Sequence, residues 1–433
     1  MERSTGPFLV EYPSVHAACA DPNPFTPLRQ RPAGYRQPFR LRLILFTQSV
    51  VMTMNAATLA LPYAPSRPAH VTTAAERRSD SIAIARVICI LGVVYVHAWT
   101  GVDAQTLFAM HGSGQDLLRW TLMEGFGRSA VPLLGLISGW LVAGSARTRN
   151  WWPFVRHKAR TILLPMLLWN IIALLIICSA AAFLGLRAPV PPSFEWVAQE
   201  LLILTRNPDV NVQMPFLRDL FLCMVAAPLL VRLPTAALAA VSAFAATCFI
   251  FSYGPPVLMR ASILAFFALG MIVRRLEIEK RITGWPLGAA LLPFCLIMPL
   301  KLYLSLDAVN PLWDNQGRPM AAIDMVTRVA AAIAFWRIAW ALAGSRAAPP
   351  LKRIEPYMFM MFCAHLIIIW TLAPVVGAWV GPLGSPGYPA FLLLHPLLAL
   401  GLTMLVARLL QRVAPGAAAV LSGGRLGRKL TGA

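Results

Sequence analysis

Residues 82–99 read IAIARVICILGVVYVHAW, an apolar run that contains one arginine, Arg86, and one histidine, His97. A helix needs ~20 mostly apolar residues to cross a bilayer, so this run predicts a transmembrane helix. An ionisable side chain inside such a helix costs about 2.5–3.5 kcal/mol on insertion scales. An ionisable residue within a membrane span is therefore a functional candidate by default, and Arg86 and His97 are the first such candidates in this chain.

The spacing of Arg86 and His97 places both side chains on one face of the predicted helix. At about 100° per residue, eleven residues return to within roughly 20° of the starting direction. At about 1.5 Å per residue, the two lie about 16 Å apart, half of the hydrocarbon core. A guanidinium binds phosphate or carboxylate in a bidentate manner, and an imidazole moves a proton near neutral pH. The pair favours a site that takes a charged donor from one side and reacts near the other. The alternative is that Arg86 snorkels to the interface and His97 only packs.

The composition indicates that the whole chain, and not residues 82–99 alone, is suited to a membrane. Of 433 residues, 58% are hydrophobic and 13% charged, with a mean hydropathy of +0.64. Soluble domains are about half apolar and about a quarter charged, so a water-soluble enzyme and a disordered chain are both excluded. The sequence predicts an all-α, polytopic transmembrane helical bundle of about ten spans. The candidate spans are 82–99, 121–145, 161–186, 216–232, 234–253, 256–273, 283–305, 320–343, 355–381 and 388–410.

Lysine and arginine positions predict the orientation of this bundle. The net charge is +20, which also suits a nucleic-acid-binding protein. With the first span starting in the cytoplasm, however, eighteen Lys and Arg residues fall in inside loops and the C-terminal tail, against seven outside. The positive-inside rule then places both termini in the cytoplasm. The basic charge therefore marks topology, and no nucleic-acid partner is expected.

The two ends of the chain differ from the predicted membrane domain, 81–412. Residues 1–80 are rich in Pro and Arg and predict a flexible basic tail, with an upstream start codon and true initiation at Met52 or Met54 as a second interpretation. The moderately apolar stretch 43–62 is an alternative eleventh span, but it would place five arginines outside or invert every later loop. Residues 413–433 are interpreted as a basic cytoplasmic tail.

Two features of the predicted outer loops are ambiguous. The loop 187–215 either lies over a cavity or simply connects two spans. The pair His111 and Asp116 has the His-x4-Asp spacing of lipid-phosphate acyltransferases, but the flanking residues do not match, so it is interpreted as a chance match. The seven cysteines show no CxxC pair and lie mostly in apolar runs, so neither a disulfide framework nor a metal site is expected.

Five segments, in chain order, resemble the acyltransferase family 3 membrane proteins. They are the Arg-x10-His of Arg86 and His97, then 126–141 with Arg128, Pro132 and Ser138, the basic loop 154–165, Phe216-Leu-Arg-Asp-Leu220, and 356–365, which ends in His365. Departures from the family pattern include Leu134-Gly135 in place of paired aromatic residues. Each segment is weak by itself, but five in register are specific.

The resemblance implies both an activity and its partners. Members of this family O-acylate sugars of bacterial envelope and secreted polysaccharides, using acyl-CoA from the cytoplasm. It therefore implies an inner-membrane enzyme with acyl-CoA, acetyl-CoA by expectation, as co-substrate and no bound cofactor or metal. The acceptor would be a polysaccharide or a lipid-linked sugar in contact with membrane lipid. His97 would be the catalytic base or, as a second interpretation, a transient acyl carrier, and Arg86 would engage the donor.

Further site residues follow from the same segments. Arg128 is expected to face the thioester oxygen, or to form only an ion pair with Glu124. The candidate substrate-binding residues are Arg218, Asp219, His365 and Ser138. Asp219 would orient His97 or neutralise Arg218, and His365 would serve the site or make an interhelical hydrogen bond. Arg156, Lys158 and Arg160 would bind the donor phosphates, although the positive-inside rule alone also explains them.

Two other functions compete with acyl transfer. A transporter or flippase for polysaccharide or a polyprenyl-linked sugar is the main alternative, but no internal repeat is visible. A polytopic glycosyltransferase is the third, and it would need outer-loop carboxylates, whereas Asp103, Asp209 and Asp307 are scattered. No Walker, GxSxG or HExxH motif is present, so the sequence gives no support for ATP-driven transport or serine hydrolysis.

Overall fold

The computed structural model of the protein describes residues 73–254, 257–305 and 317–427. The predictions for residues 1–72, including the 43–62 stretch and the start at Met52 or Met54, lie outside these ranges, as do Asp307 and the last six residues.

Within these ranges the chain forms fourteen helices, a short 3-10 helix at Ala146–Arg149 and no strand, which confirms the all-α class. In chain order they are α1 Ala74–Val96, α2 Ala104–Ala109, α3 Gly114–Ala143, α4 Trp151–Leu184, α5 Phe194–Leu202, α6 Pro215–Leu230, α7 Thr235–Ile250, α8 Ala261–Arg275, α9 Ile278–Thr283, α10 Leu287–Ser305, α11 Arg318–Ala343, α12 Ala348–Trp379, α13 Tyr388–Val413 and α14 Pro415–Leu421.

Seven of these helices are long and apolar enough to cross a membrane: α1, α3, α4, α10, α11, α12 and α13. The other three predicted spans correspond to α6, α7 and α8, which have 16, 16 and 15 residues. At about 1.5 Å per residue these three reach only about 22–24 Å, less than a ~30 Å hydrocarbon core. The chain is a multi-pass membrane protein, and the count of ten spans and the cytoplasmic termini stay predictions.

Helix α3 widens into a π-helical segment at Thr121–Arg128, just before Pro132. Proline has no N–H and cannot donate the i to i−4 hydrogen bond of a regular α-helix. In the π-helical segment the Ser129 N–H donates to the carbonyl of Glu124, five residues earlier. The segment also passes unusually close to α1, because a Cβ on Gly127 would lie 2.8 Å from the carbonyl oxygen of Gly92. This crossing brings the C-terminal end of the π segment, with Arg128, to the His97 end of α1.

The loop 187–215, which is predicted to lie on the outer side, is fastened to the bundle. Its helix α5 buries Trp196, whose Nε1 donates to Asp209 Oδ2 at 2.8 Å. Glu200 accepts the N–H groups of Asp209 and Val210, and burial raises the pKa of its carboxyl. Asn170 of α4 donates to the carbonyl of Leu201 at 3.0 Å. The loop is therefore a folded part of the domain.

Candidate active site

His97 lies at the end of α1 against a second histidine. Helix α1 ends at Val96, so His97 occupies the following turn rather than the helix itself, which corrects the prediction that both side chains lie on one continuous helix. Its ring centroid is 5.3 Å from that of His365 in α12. Within the described residues, His97 Nδ1 is buried without a hydrogen-bond partner.

His365 is fully buried and its tautomer follows from its contacts. Its Nδ1 lies 2.8 Å from the carbonyl oxygen of Phe362 and 3.2 Å from that of Met361, both in its own helix. A carbonyl only accepts, so Nδ1 carries the hydrogen and Nε2 keeps the lone pair of the neutral ring. That Nε2 is buried and unpartnered in the described part of the chain. The expected interhelical hydrogen bond is thus absent there, and an acceptor nitrogen remains beside His97.

A third histidine, His395 of α13, completes the cluster. It is 3% exposed, and neither ring nitrogen has a hydrogen-bond partner among the residues described. Aromatic rings surround it, with centroids 5.5 Å away at Phe391 and 6.4 Å away at Tyr95. Between residues 73 and 427, as far as they are described, no three His, Cys, Asp or Glu side chains are grouped as a metal site. His97, His365 and His395 are thus three imidazoles gathered at the C-terminal end of α1.

Arg128 is held at this end by a buried chain of charges. Its Nη1 donates to Glu124 Oε1 at 2.6 Å, which is the ion pair that the sequence predicts. Glu124 Oε2 also accepts from Lys301 of α10 at 2.7 Å, and Lys301 donates to Asp324 of α11 at 2.7 Å. Asp324 in turn pairs with Arg328 at 2.6 Å. Three long helices thereby fix the position of Arg128, while half of its side chain stays exposed.

A second arginine, Arg260, reaches the same place from the start of α8. Gly127, next to Arg128, packs against Val96 at the end of α1. Arg260 donates to the carbonyl of Val212, and the adjacent Gln213 donates to the carbonyl of Cys363, two residues before His365. The backbone N–H of Arg260 donates to Asp219 Oδ2 at 2.7 Å. Asp219 Oδ1 accepts from Arg218 at 2.6 Å. Of the two roles predicted for Asp219, the structure therefore shows neutralisation of Arg218, and the carboxylate anchors Arg260 instead of orienting His97.

Near the middle of α1, eleven residues before His97, the site has a different arrangement. Arg86 Nη1 pairs with Glu355 Oε1 at 3.1 Å, and the two side chains are 36% and 21% exposed. Glu355 lies ten residues before His365 in α12, just as Arg86 precedes His97 by eleven. The two helices therefore run in the same direction, and both ends of the site are built from the same helix pair.

The predicted donor residues divide into two groups. Lys158 is half-buried, its Nζ lies 5.5 Å from the centroid of the Phe154 ring, and Arg86 is near enough for their charges to interact. Arg156 and Arg160 are exposed on α4, two residues away on either side. Successive residues differ by about 100° around a helix, so a shift of two positions points to the opposite face. Of these three predicted donor-binding residues, Lys158 is the one that the structure places near Arg86.

Ser138 is not drawn into either end of the site. Its hydroxyl donates to the carbonyl of Leu134 in its own helix at 2.7 Å. No hydrogen bond between residues that the structure describes joins it to His97 or Arg86. The sequence motif that includes Ser138 thus has a local use in α3, and the prediction of a substrate contact is not supported by its geometry.

The His-x4-Asp pair forms a contact but not a base. His111 Nδ1 is 3.2 Å from Asp116 Oδ2, and its Nε2 is 3.2 Å from the carbonyl of Ser305. Both ring nitrogens face acceptors, so neither keeps a lone pair directed at a substrate. Arg119 also pairs with Asp116, at 2.7 Å. The pair joins α3 to α10 and is structural.

Comparison with known proteins decides the family. The family model of the acyltransferase domain, acyltransferase family 3, matches residues 79–412. The chain belongs to this family. It is accordingly a membrane acyltransferase that transfers groups other than aminoacyl groups.

A curated relative of this acyltransferase is the succinoglycan biosynthesis protein ExoH of Rhizobium meliloti (strain 1021). The two chains are 28% identical over 372 residues, which cover 81% of this chain and 94% of the relative. No solved structure gives a significant match. Membership in the family favours acyl transfer over the alternative of a transporter without it.

Sequence reasoning missed four residues of the acyltransferase site: Glu355, His395, Arg260 and Lys301. His395, Arg260 and Lys301 lie within predicted spans, so the cost of a polar group in lipid was a signal for all three. Glu355 opens a predicted span and gave no such signal. Its role depends on which helix packs beside α1, and that is not readable from either segment alone.

Proposed function

We propose that the protein is an inner-membrane O-acyltransferase that moves an acyl group, acetyl by expectation, from acyl-CoA to a sugar hydroxyl. The acceptor would be an exopolysaccharide or a lipid-linked oligosaccharide, as the name of the succinoglycan relative suggests. The observation that carries the proposal is the pairing of α1 with α12. This pairing gives a charged Arg86–Glu355 end and a histidine end at His97 and His365.

In this mechanism His97 acts on the acceptor. As the sugar oxygen attacks the thioester carbonyl, the imidazole takes the hydroxyl proton, a role that contributes about 10²–10⁴-fold to the rate. The new C–O bond forms and the C–S bond breaks. His97 then returns the proton to the leaving thiolate, so the products are a sugar ester and the free thiol of CoA.

The oxygen of the thioester becomes anionic during the attack and needs donors close by. Arg128 and Arg260 are suited to this role because both are held near the His97 end of the site. A guanidinium has five N–H groups, and half of the Arg128 side chain stays exposed beside its ion pair with Glu124. The hydrogen bonds to Glu124 and to the carbonyl of Val212 fix the two cations before the reaction begins.

The charged end would hold the phosphates of the donor. Arg86 and His97 are separated by about 16 Å along the helix direction. The extended pantetheine arm of acyl-CoA suits that separation, because it joins a phosphate group to a thioester at the far end. Binding at Arg86 thus delivers the thioester to His97.

A direct test uses purified protein, radiolabelled acetyl-CoA and exopolysaccharide from which ester groups have been removed. We expect label in the polysaccharide with the wild type and none above background with His97→Ala. The matched control is His157→Ala, because His157 is exposed on α4. Label bound to the protein without acceptor would favour the acyl-carrier role of His97. Full transfer by His97→Ala at equal protein levels would contradict the proposal.

A further inference from the structure

The chain continues past the last long helix and folds back onto the bundle. Helix α14 follows α13 after Ala414, and Trp169 Nε1 of α4 donates to the carbonyl of its last residue, Leu421, at 3.0 Å. Gln411 donates to the carbonyl of Leu426 at 3.1 Å. Residues 415–427, which we term the C-terminal hook, are therefore fastened to α4 and α13.

The turn of the hook contacts α4 through a glycine. Gly423 has φ +61°, and a Cβ there would lie 2.4 Å from the carbonyl oxygen of Thr161. A side chain at this position would both strain the backbone and push the turn away from α4. Ser422 and Leu426 are buried on either side, and the Leu426 N–H donates to Ser422 Oγ at 3.0 Å. The hook is thus a packed element with a defined position.

Its position brings Arg425 to the charged end of the site. The guanidinium carbon lies 4.1 Å from the centroid of the Phe359 ring of α12, and Nη1 donates to the carbonyl of Ser422 at 3.0 Å. Phe359 lies one turn after Glu355, the partner of Arg86, and Gly423 of the hook packs against Thr161, three residues after Lys158, so Arg425 lies on the same side of α12 and α4 as both cations. The side chain nevertheless keeps exposed surface.

The charges of this group do not balance. Arg86, Lys158 and Arg425 contribute three positive charges from three separate parts of the chain, and Glu355 contributes one negative charge. Within residues 73–254, 257–305 and 317–427, no carboxylate forms an ion pair with Lys158 or Arg425. Like charges held together are unfavourable unless an anion joins them, and a phosphate accepts several N–H donors at once.

We propose that the C-terminal hook completes the donor-phosphate site, with Arg425 binding phosphate oxygens together with Arg86 and Lys158. The inference rests on the proposed function, because it takes the phosphates to be those of acyl-CoA. Phosphate chemistry is shared by the headgroups of anionic lipids, so the test separates the two sources. The planar guanidinium over Phe359 is preorganised for bidentate binding, which a lysine cannot reproduce.

The experiment measures transfer kinetics of the full-length protein in nanodiscs with two donors, acetyl-CoA and acetyl-pantetheine, which lacks the phosphates. Arg425→Ala is expected to raise the KM for acetyl-CoA at least tenfold, with kcat and the KM for acetyl-pantetheine nearly unchanged. Arg425→Lys should fall between Arg425→Ala and wild type. Gly423→Ala should raise the same KM although Arg425 is still present. Arg408→Ala, an exposed arginine on α13, is the matched control.

Several outcomes would overturn the inference, and one separates it from the proposed function. An unchanged KM in Arg425→Ala, or an equal rise with both donors, would contradict the phosphate contact. An effect that follows the anionic lipid content of the nanodisc instead of the donor would assign the group to lipid headgroups. If wild-type protein binds no CoA by calorimetry, the proposed function itself fails. If wild type binds CoA and Arg425→Ala binds it equally, only the role of the hook fails.

Discussion

The two ends of the α1–α12 pair handle polar groups in opposite ways. At the His97 end, His365 and His395 are buried and present nitrogens without hydrogen-bond partners among the described residues, which is a costly state for a polar group. At the Arg86 end, the charged side chains stay partly exposed, and Arg86 is paired with Glu355. The buried histidine end is suited to a reaction from which water is excluded. The accessible charged end is suited to binding a charged ligand. The comparison predicts that mutations at the first end change kcat and those at the second change KM.

The largest expected effect is the loss of the base. His97→Ala should lower kcat by about 10²–10⁴-fold, since that is the contribution of a positioned general base. The KM for acyl-CoA should stay within a small factor of wild type, because the proposal places the donor phosphates at Arg86 and away from His97. Steady-state transfer assays with both substrates varied measure the two constants. A large KM change with normal kcat would remove the distinction between the two ends.

The second prediction concerns the charge network that holds Arg128. Lys301→Met leaves the buried Glu124 and Asp324 without their shared cation, and breaking a buried pair costs about 3–5 kcal/mol. Thermal unfolding in detergent should show a markedly lower midpoint, together with lower kcat. Lys280→Met is the matched control, because its pair with Glu277 is exposed and should leave the midpoint unchanged. Equal midpoints for the two variants would show that the network carries no stability.

At the charged end, Arg86→Ala should raise the KM for acyl-CoA by about ten- to a hundredfold. This range corresponds to about 1.5–3 kcal/mol for a hydrogen bond to a charged group. The KM should also lose part of its dependence on ionic strength, since an exposed charge pair is screened by salt. Kinetic assays over a salt series test both points. A salt dependence identical to that of wild type would place donor capture elsewhere.

The smallest effect tests whether the unpartnered nitrogens at the histidine end are kept for function. His395→Leu removes a buried polar group that has no hydrogen-bond partner in the described part of the chain, so we expect stabilisation of about 1–3 kcal/mol. The same variant should lower kcat several-fold because the histidine cluster is interrupted. Thermal unfolding and kinetics on one preparation measure both. A destabilised variant with wild-type kcat would indicate that His395 only packs.

The contrast between the ends also marks what the sequence could predict. The cost of ions in lipid identified Arg86 and His97, and the family resemblance added His365. The ten apolar segments each correspond to a helix of the bundle. The sequence groups Lys158 with Arg156 and Arg160 in one basic loop. Helical periodicity would have separated them, because Lys158 is half-buried whereas Arg156 and Arg160 are exposed. Pairings such as Arg86 with Glu355 depend on which helices pack together, and no local pattern specifies that.

The C-terminal segment shows a similar limit. Its arginines predicted a basic tail, and nothing in their spacing indicated a turn packed on α4. The position of Arg425 depends on the close contact of Gly423 with α4 and on two hydrogen bonds that hold the hook. Their donors, Trp169 in α4 and Gln411 in α13, lie outside the hook, so the local sequence does not specify them. Whether this end faces the cytoplasm stays a prediction from charge distribution.

The division of labour between the two ends is tested most directly by the rate of acetyl transfer at saturating acetyl-CoA for Arg86→Ala and His97→Ala side by side. The account predicts that Arg86→Ala recovers most of the wild-type rate once the donor saturates, whereas His97→Ala stays at least about 10²-fold slower at every donor concentration. Recovery of His97→Ala at high donor concentration, or failure of Arg86→Ala to recover, would contradict it.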